Sequence, residues 1–364
     1  MTGASLRRLL DSGACSMKII HVWFLRLAMI FVTCPLPEAH AWTRDQFTIA
    51  PTLMKLRMLG EEIHEPQVWQ LAGRLAYQEG FGSSGFQKRA SNWSLQPIIN
   101  YDTNVNNGFS NDAINIGGLD FLVDEQFRRE QAPVVGASLS GSHVWGLSRK
   151  LSFNVDHTAR YVHAWNGNYD KWSVAVQPCV AYFIASASRA YACGATERAV
   201  TELTERKEKS ISLGASTAYT IGTYFQSSQI TMKRSTISSG VDYVQDSITY
   251  QHETLLGDGT LVGVKVKLSE AVDNVFVSRE FFHLTAAKIV AGRRLEAGYI
   301  QENRRGGMFL NEARKEKLRG IIVSARISNS LSMRVGRFHN EASNSFNNDQ
   351  FTVFDININL LKLR

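Results

Sequence analysis

The chain has 364 residues, with 40 Lys and Arg against 33 Asp and Glu, a net charge of +7 and only 7 prolines. Past residue 41 no stretch approaches the roughly 18 apolar residues that a membrane-crossing helix needs, which excludes a helical membrane protein. The positive excess is mild and scattered, with no recognisable nucleic-acid module, so a DNA or RNA partner is excluded as well.

The first element is an address. Lys18 precedes a mainly apolar run from Ile19 to Thr33, followed by Pro35, Pro37 and Ala39-His40-Ala41. A positive start, a short apolar core and an A-x-A site describe a secretory signal peptide, residues 1–41, with Trp42 the first mature residue. Residues 1–16 then read as an upstream extension, with Met17 an alternative start. Arg26 interrupts the run, which argues against an uncleaved anchor. Cleavage removes Arg7, Arg8, Lys18, Arg26, Asp11 and Glu38 and leaves 36 basic and 31 acidic residues.

Residues 42–90 change texture. Leu53, Leu56 and Leu59 lie three apart; Pro66 then opens a run with Val68, Leu71, Ala72 and Leu75, and Gly80 closes it. This spacing predicts a short helical periplasmic segment, with Gly80 to Gly85 as the linker to the next domain.

From residue 91 to 364 the period is two. Leu151, Phe153 and Val155 alternate with Ser152, Asn154 and Asp156; Val262, Val264 and Val266 alternate with Gly263, Lys265 and Lys267. Alternation alone also suits a soluble sandwich. Three features favour a membrane barrel: strands of about ten residues recur to the end, the polar faces carry charges mid-strand, and short and long connections alternate. The predicted strands are 91–101, 134–145, 150–162, 172–184, 189–196, 210–220, 224–233, 242–254, 261–269, 278–290, 295–302, 318–328, 331–339 and 350–362. Glu197 to Lys209, Ala271 to Phe276, Asn303 to Lys317 and Asn340 to Asp349 are the charged external connections, and Asn166 to Lys171 joins them by its place in the alternation. A further alternating piece at 113–122 would make an odd count, so 102–133 is assigned to a long first external loop. The expected fold is all-β: an antiparallel up-and-down transmembrane barrel of about 14 strands in the outer membrane of a Gram-negative bacterium, touching outer-membrane lipids. The lumen-facing set is Asp156, Arg160, Lys265, Lys267, Arg326, Arg334 and Asp355. Trp145, Tyr161, Trp165, Trp172 and Tyr182 are expected at the membrane interfaces.

Export also sets the redox state. Cys15 and Cys34 leave with the signal peptide, and Cys179 and Cys193 remain. They are centred on Ser186, the middle of a short turn, so a symmetric hairpin places them opposite each other on the lumen side, where a disulfide fits.

Lys88-Arg89, Trp93, Pro97 and then Asp102-x-Asn104-x-Asn106 resemble the barrel entry of the surface lipoprotein assembly modifiers, the Slam family. Ile116 to Phe121, with Gly118 and Phe121, is similar to that family's Gly-Leu-x-Phe segment, and Ser343-Asn344 after His339 resembles its Ser-Asn before the closing strand. The likeness covers about 88 to 364. It implies a fourteen-stranded barrel that assists translocation or surface display of lipoproteins or other exported clients. Family members carry tetratricopeptide repeats in front of the barrel, whereas 47–80 has room for about one and lacks the consensus. A passive porin or structural barrel is the alternative. Neither reading calls for a cofactor, a metal or a catalytic residue: His339 and Ser343 are four apart with no third group to orient the imidazole. The chain ends Leu360-Leu361-Lys362-Leu363-Arg364, where many barrels present Phe or Trp to the insertion machinery.

Overall fold

The computed structural model describes residues 79–364 except 107, 110, 117–118, 166–168, 186, 223, 310–311, 329–330, 344–346, 359–360 and 364. Alternating segments become strands because the pleat gives each one an apolar face and a polar face. β1 spans Gln87–Asp102 and is followed by a small hairpin of β2 (Ala113–Ile116) and β3 (Leu119–Leu122). Next come β4 (Ala132–Gly146), β5 (Leu151–Ala164), β6 (Asp170–Ala185), β7 (Ser188–Val200), β8 (Glu205–Ile221), β9 (Tyr224–Ser239) and β10 (Val241–Leu255). β11 (Leu261–Ser269), β12 (Val277–Val290), β13 (Arg293–Phe309), β14 (Glu312–Arg326), β15 (Leu331–Ala342), β16 (Asp349–Ile358) and β17 (Leu361–Leu363) complete the series.

From β4 to β16 each strand pairs antiparallel with the next, and β1 pairs with β4. The sheet closes where β16 meets β1, with Ile98 opposite Asn357 and Tyr101 opposite Phe354. β17 prolongs that seam, with Trp93 opposite Leu363. β1 and β4 to β16 make fourteen strands, and the 113–122 piece is the separate β2–β3 hairpin, as the parity argument requires. Closure leaves no unpaired edge, the condition for a sheet to live in lipid.

Burial separates the two faces. Along β8, Ile211 and Leu213 are 70% and 59% exposed, while Glu208 and Ser210 on the alternate face are 8% and 7% exposed. The first pair points outward, where lipid belongs, and the second inward. The outward series continues around the barrel through Leu95, Ile99, Leu139, Val174, Val180, Met232, Leu284, Ile321, Val323 and Val335.

Three sequence expectations need correction. Of the predicted helical segment 42–90, residues up to 78 lie outside the described residues; from Glu79 onward the chain is a turn and then strand, and β1 begins at Gln87 rather than 91. A single 3-10 turn, Glu125–Phe127, follows the β2–β3 hairpin. The stretches Glu197 to Lys209 and Asn303 to Lys317 are largely strand: β7 and β8 leave only 201–204 between them, and β13 and β14 run on to Phe309 and Glu312. Charged residues extend a ladder when they pair along it, as Arg198 does with Glu205 (2.8 Å) and Arg314 with Glu316 (2.6 Å). Likewise, β9 and β10 run past 233 and 242 and meet at Gly240, whose φ of +71° makes the turn.

At the end of the barrel opposite the β2–β3 hairpin the turns are short. Ala291 (φ +50°) and Gly292 (φ +72°) form the link between β12 and β13, the left-handed pair that a two-residue hairpin turn requires. The approach to β1 lies inside the same end of the barrel. Gly82 donates its N–H to the Arg149 carbonyl at 3.0 Å, and Phe81 packs edge-on against Phe183, an inward-facing and buried ring, at 5.2 Å.

Candidate functional site: the lumen and its first external loop

Register carries one continuous face around the wall. Asn154 lies opposite Cys179, Cys179 opposite Cys193, Cys193 opposite Ser212, and Ser212 opposite Lys233. Ser212 shares the inward face of β8 with Glu208, so the whole row is interior. By the same register Asp156, Arg160, Lys265, Lys267, Arg326, Arg334 and Asp355 fall on this face. Cys179 and Cys193 are joined there, with Sγ–Sγ 2.06 Å and Cα–Cα 4.1 Å.

The interior charges are organised in groups. Glu208 accepts from Lys233 (2.6 Å), Ser235 (2.9 Å) and Arg206 (2.5 Å). Glu302 pairs with Arg304 at 2.5 Å. Arg334 is ion-paired with Asp355, which also accepts from the Asn100 amide at 2.6 Å. Carboxylates held by several donors are fixed in orientation, so the wall presents oriented polar groups to water or solute. One interior region is apolar, which sequence reading missed. The Phe338 and Phe351 rings stack at 5.0 Å on β15 and β16. A Cβ at Gly320 would lie 2.2 Å from the Phe338 ring, so only glycine lets that ring lie flat on the wall. The signal was available in Gly320 and Gly336, which interrupt otherwise regular strands.

The first external loop folds inward. Val105 is 1% exposed and packs with Ala132, Val134, Val162 and Ala164, and Ile98 lies against the same cluster. Val134 and Val162 belong to the interior face, so the loop covers the inner wall near the external mouth. The Asp102-x-Asn104-x-Asn106 residues fasten it. Asp102 accepts from the Asn104 N–H at 2.9 Å, and the Asn104 amide donates to the Gly108 carbonyl at 2.9 Å. Asn106, fully buried, donates to the Arg128 carbonyl (2.6 Å) and accepts from the N–H groups of Gly108 (3.1 Å) and Glu130 (3.0 Å).

Side chains on other strands complete the fastening. Lys171 donates to the Asp102 carboxylate, and Arg129 reaches Asp349 with both oxygens at 2.8 Å. Tyr169 donates to Glu130 at 2.5 Å, and that carboxylate pushes the phenol pKa up to about 12. Gly118 and Asn344 lie outside the described residues. Phe121 sits half-exposed on β3. Ser343 bonds to the β14 backbone, accepting from the Lys315 N–H at 3.1 Å and donating to the Ala313 carbonyl at 3.2 Å. His339 points outward beside Glu341, 3.5 Å away. Its imidazole and the Ser343 hydroxyl therefore have separate partners.

The apolar outer belt and the unbroken closure together decide where such a sheet can stand. The chain is an outer-membrane β-barrel of a Gram-negative bacterium. No family model and no curated protein matches it. Among solved structures, it is similar to OccAB4 of Acinetobacter baumannii at 8% identity and TM-score 0.40, covering 76% of this chain and 99% of that one. OpdK of Pseudomonas aeruginosa matches at 8% identity and TM-score 0.41, over 75% of this chain and 99% of that one. A BenF-like porin of Pseudomonas fluorescens Pf-5 matches at 9% identity and TM-score 0.41, over 75% and 98%. Likeness this loose decides nothing about solute or mechanism for the barrel.

Proposed function

We propose that the protein is a passive outer-membrane channel whose bore is set by its first external loop, with small polar solutes crossing along the ionised wall. The observation that carries this reading is the inward fastening of that loop, through Asn106, Lys171 and Arg129, onto a wall that elsewhere carries grouped charges and hydroxyls beside one aromatic stack. A loop held against the inner wall narrows a passage without sealing a fourteen-stranded bore. Planar-bilayer recording tests it: the purified barrel is expected to give steady single-channel conductance with no client present, and more when Gly108 to Phe127 is replaced by a short flexible link. A folded, inserted barrel that passes no current would overturn the reading.

The alternative, a Slam-like barrel that helps lipoproteins or other exported clients reach the surface, draws its support from the sequence likeness. Loss of a lipoprotein from the surface of a deletion strain, with no conductance by the purified barrel, would favour it. Either barrel would be assembled by the insertion machinery.

A further inference from the structure

The outward face changes abruptly at the external ends of β13, β14 and β15. Along β14 the outward residues are Val323, Ile321, Arg319, Lys317 and Lys315; along β15 they are Val335, Arg337, His339 and Glu341. Arg337 lies opposite Ile321, so the cations begin at the upper row of the apolar belt. On β13 the outward Arg305 lies directly opposite Lys315. Like charges facing each other across a ladder oppose pairing, so folding alone gives no reason for them there.

Acidic residues do not balance the group. Glu341 serves Arg319 at 3.2 Å and His339 at 3.5 Å, and Glu280 lies 3.9 Å from Arg305. Lys315 and Arg337 have no ion pair among the described residues, and Lys317 lies opposite Glu341, which Arg319 and His339 already share. The external rim of β7 to β10 differs: Lys207 and Arg198 both meet Glu205, at 3.2 and 2.8 Å, and Arg234 meets Asp246 at 3.7 Å. The excess cation is therefore local to one side of the barrel. It stands where acyl chains end and headgroups begin, and Lys and Arg with long apolar stems suit that border.

We propose that the outward faces of β13, β14 and β15 bind the phosphate groups of a phosphorylated glycolipid in the outer leaflet. Its acyl chains would lie on Ile321, Val323 and Val335, and its phosphates would meet Lys315, Lys317 and Arg337. Paired cations around a fixed apolar strip select an amphiphile that carries both parts.

Native mass spectrometry of the detergent-purified full chain tests this with bis-phosphorylated lipid A, its dephosphorylated form and inorganic phosphate. The wild type is expected to retain the bis-phosphorylated lipid. The variant Lys315→Gln/Lys317→Gln/Arg337→Gln should retain it at least about tenfold less, and a rim control, Lys207→Gln/Lys209→Gln, should keep it. Equal retention by the triple variant, equal retention of the dephosphorylated lipid, or equal loss in the control would each overturn the proposal. Complete displacement by millimolar inorganic phosphate would make it a free-anion site and overturn the lipid assignment. Heat-modifiable migration reports folding; if the triple variant fails that check, Lys315→Gln and Arg337→Gln are read singly by the same criteria.

Discussion

Lys171, at the start of β6, donates to the Asp102 carboxylate at 2.7 Å and to the Asn104 carbonyl at 2.8 Å, tying the end of β1 to a strand three places away around the wall. The pair is half-buried, and such a charge-assisted bond contributes on the order of 1–2 kcal/mol. Lys171→Met is expected to loosen the first loop. Single-channel records should show larger or noisier conductance than the wild type; an unchanged trace would mean that this tie does not set the bore.

Asn106 satisfies three backbone groups in a fully buried position. Asn106→Ala strands a carbonyl and two N–H groups, a local cost of about 3 kcal/mol. The loop should become cleavable by protease on intact cells while heat-modifiable migration of the barrel persists. Resistance equal to wild type would assign the loop's order to its apolar contacts alone.

Cys179 and Cys193 face the interior and are directly opposed. A short closed loop limits the entropic gain to about 3 kcal/mol. The denatured, unreduced protein should take up no thiol label and the reduced protein two. Label on both cysteines before reduction would show that the bond does not form in the cell.

Ala291 holds φ at +50°, where a Cβ costs roughly 1 kcal/mol. Ala291→Gly relieves that strain but gives the unfolded chain more freedom, so the net gain is about 0.5 kcal/mol. The urea midpoint of the refolded barrel should rise slightly, and a lower midpoint would contradict the turn geometry.

An even strand count puts both ends of the barrel domain on one side of the membrane, and the periplasm is the expected side. A protease site inserted after Asp112 should be cut on intact cells, and one after Leu147 only once the outer membrane is breached. N-terminal sequencing of the same preparation should begin at Trp42. The reverse cleavage pattern would invert the barrel.

The barrel was legible because period-two alternation is local, and because parity forced 113–122 out of the wall. The extended hairpins were not. Arg304 and Glu316 read as loop by charge, yet they face each other across β13 and β14, and the partner of each lies a dozen residues away. The Asp102-Asn104-Asn106 run is in part local turn chemistry, since Asp102 accepts from the Asn104 N–H two residues on. Its larger role depends on Arg128 and Glu130, which no local pattern connects to Asn106. The interior Phe338–Phe351 stack was hidden for a related reason, since its floor at Gly320 belongs to a different strand.

One consequence follows from the path of the chain into β1. Because Phe81 and Gly82 rest against the inner wall, the chain enters β1 from within the barrel, so a bulky label attached at Phe81 would stand in the path of solute at that end and lower the conductance.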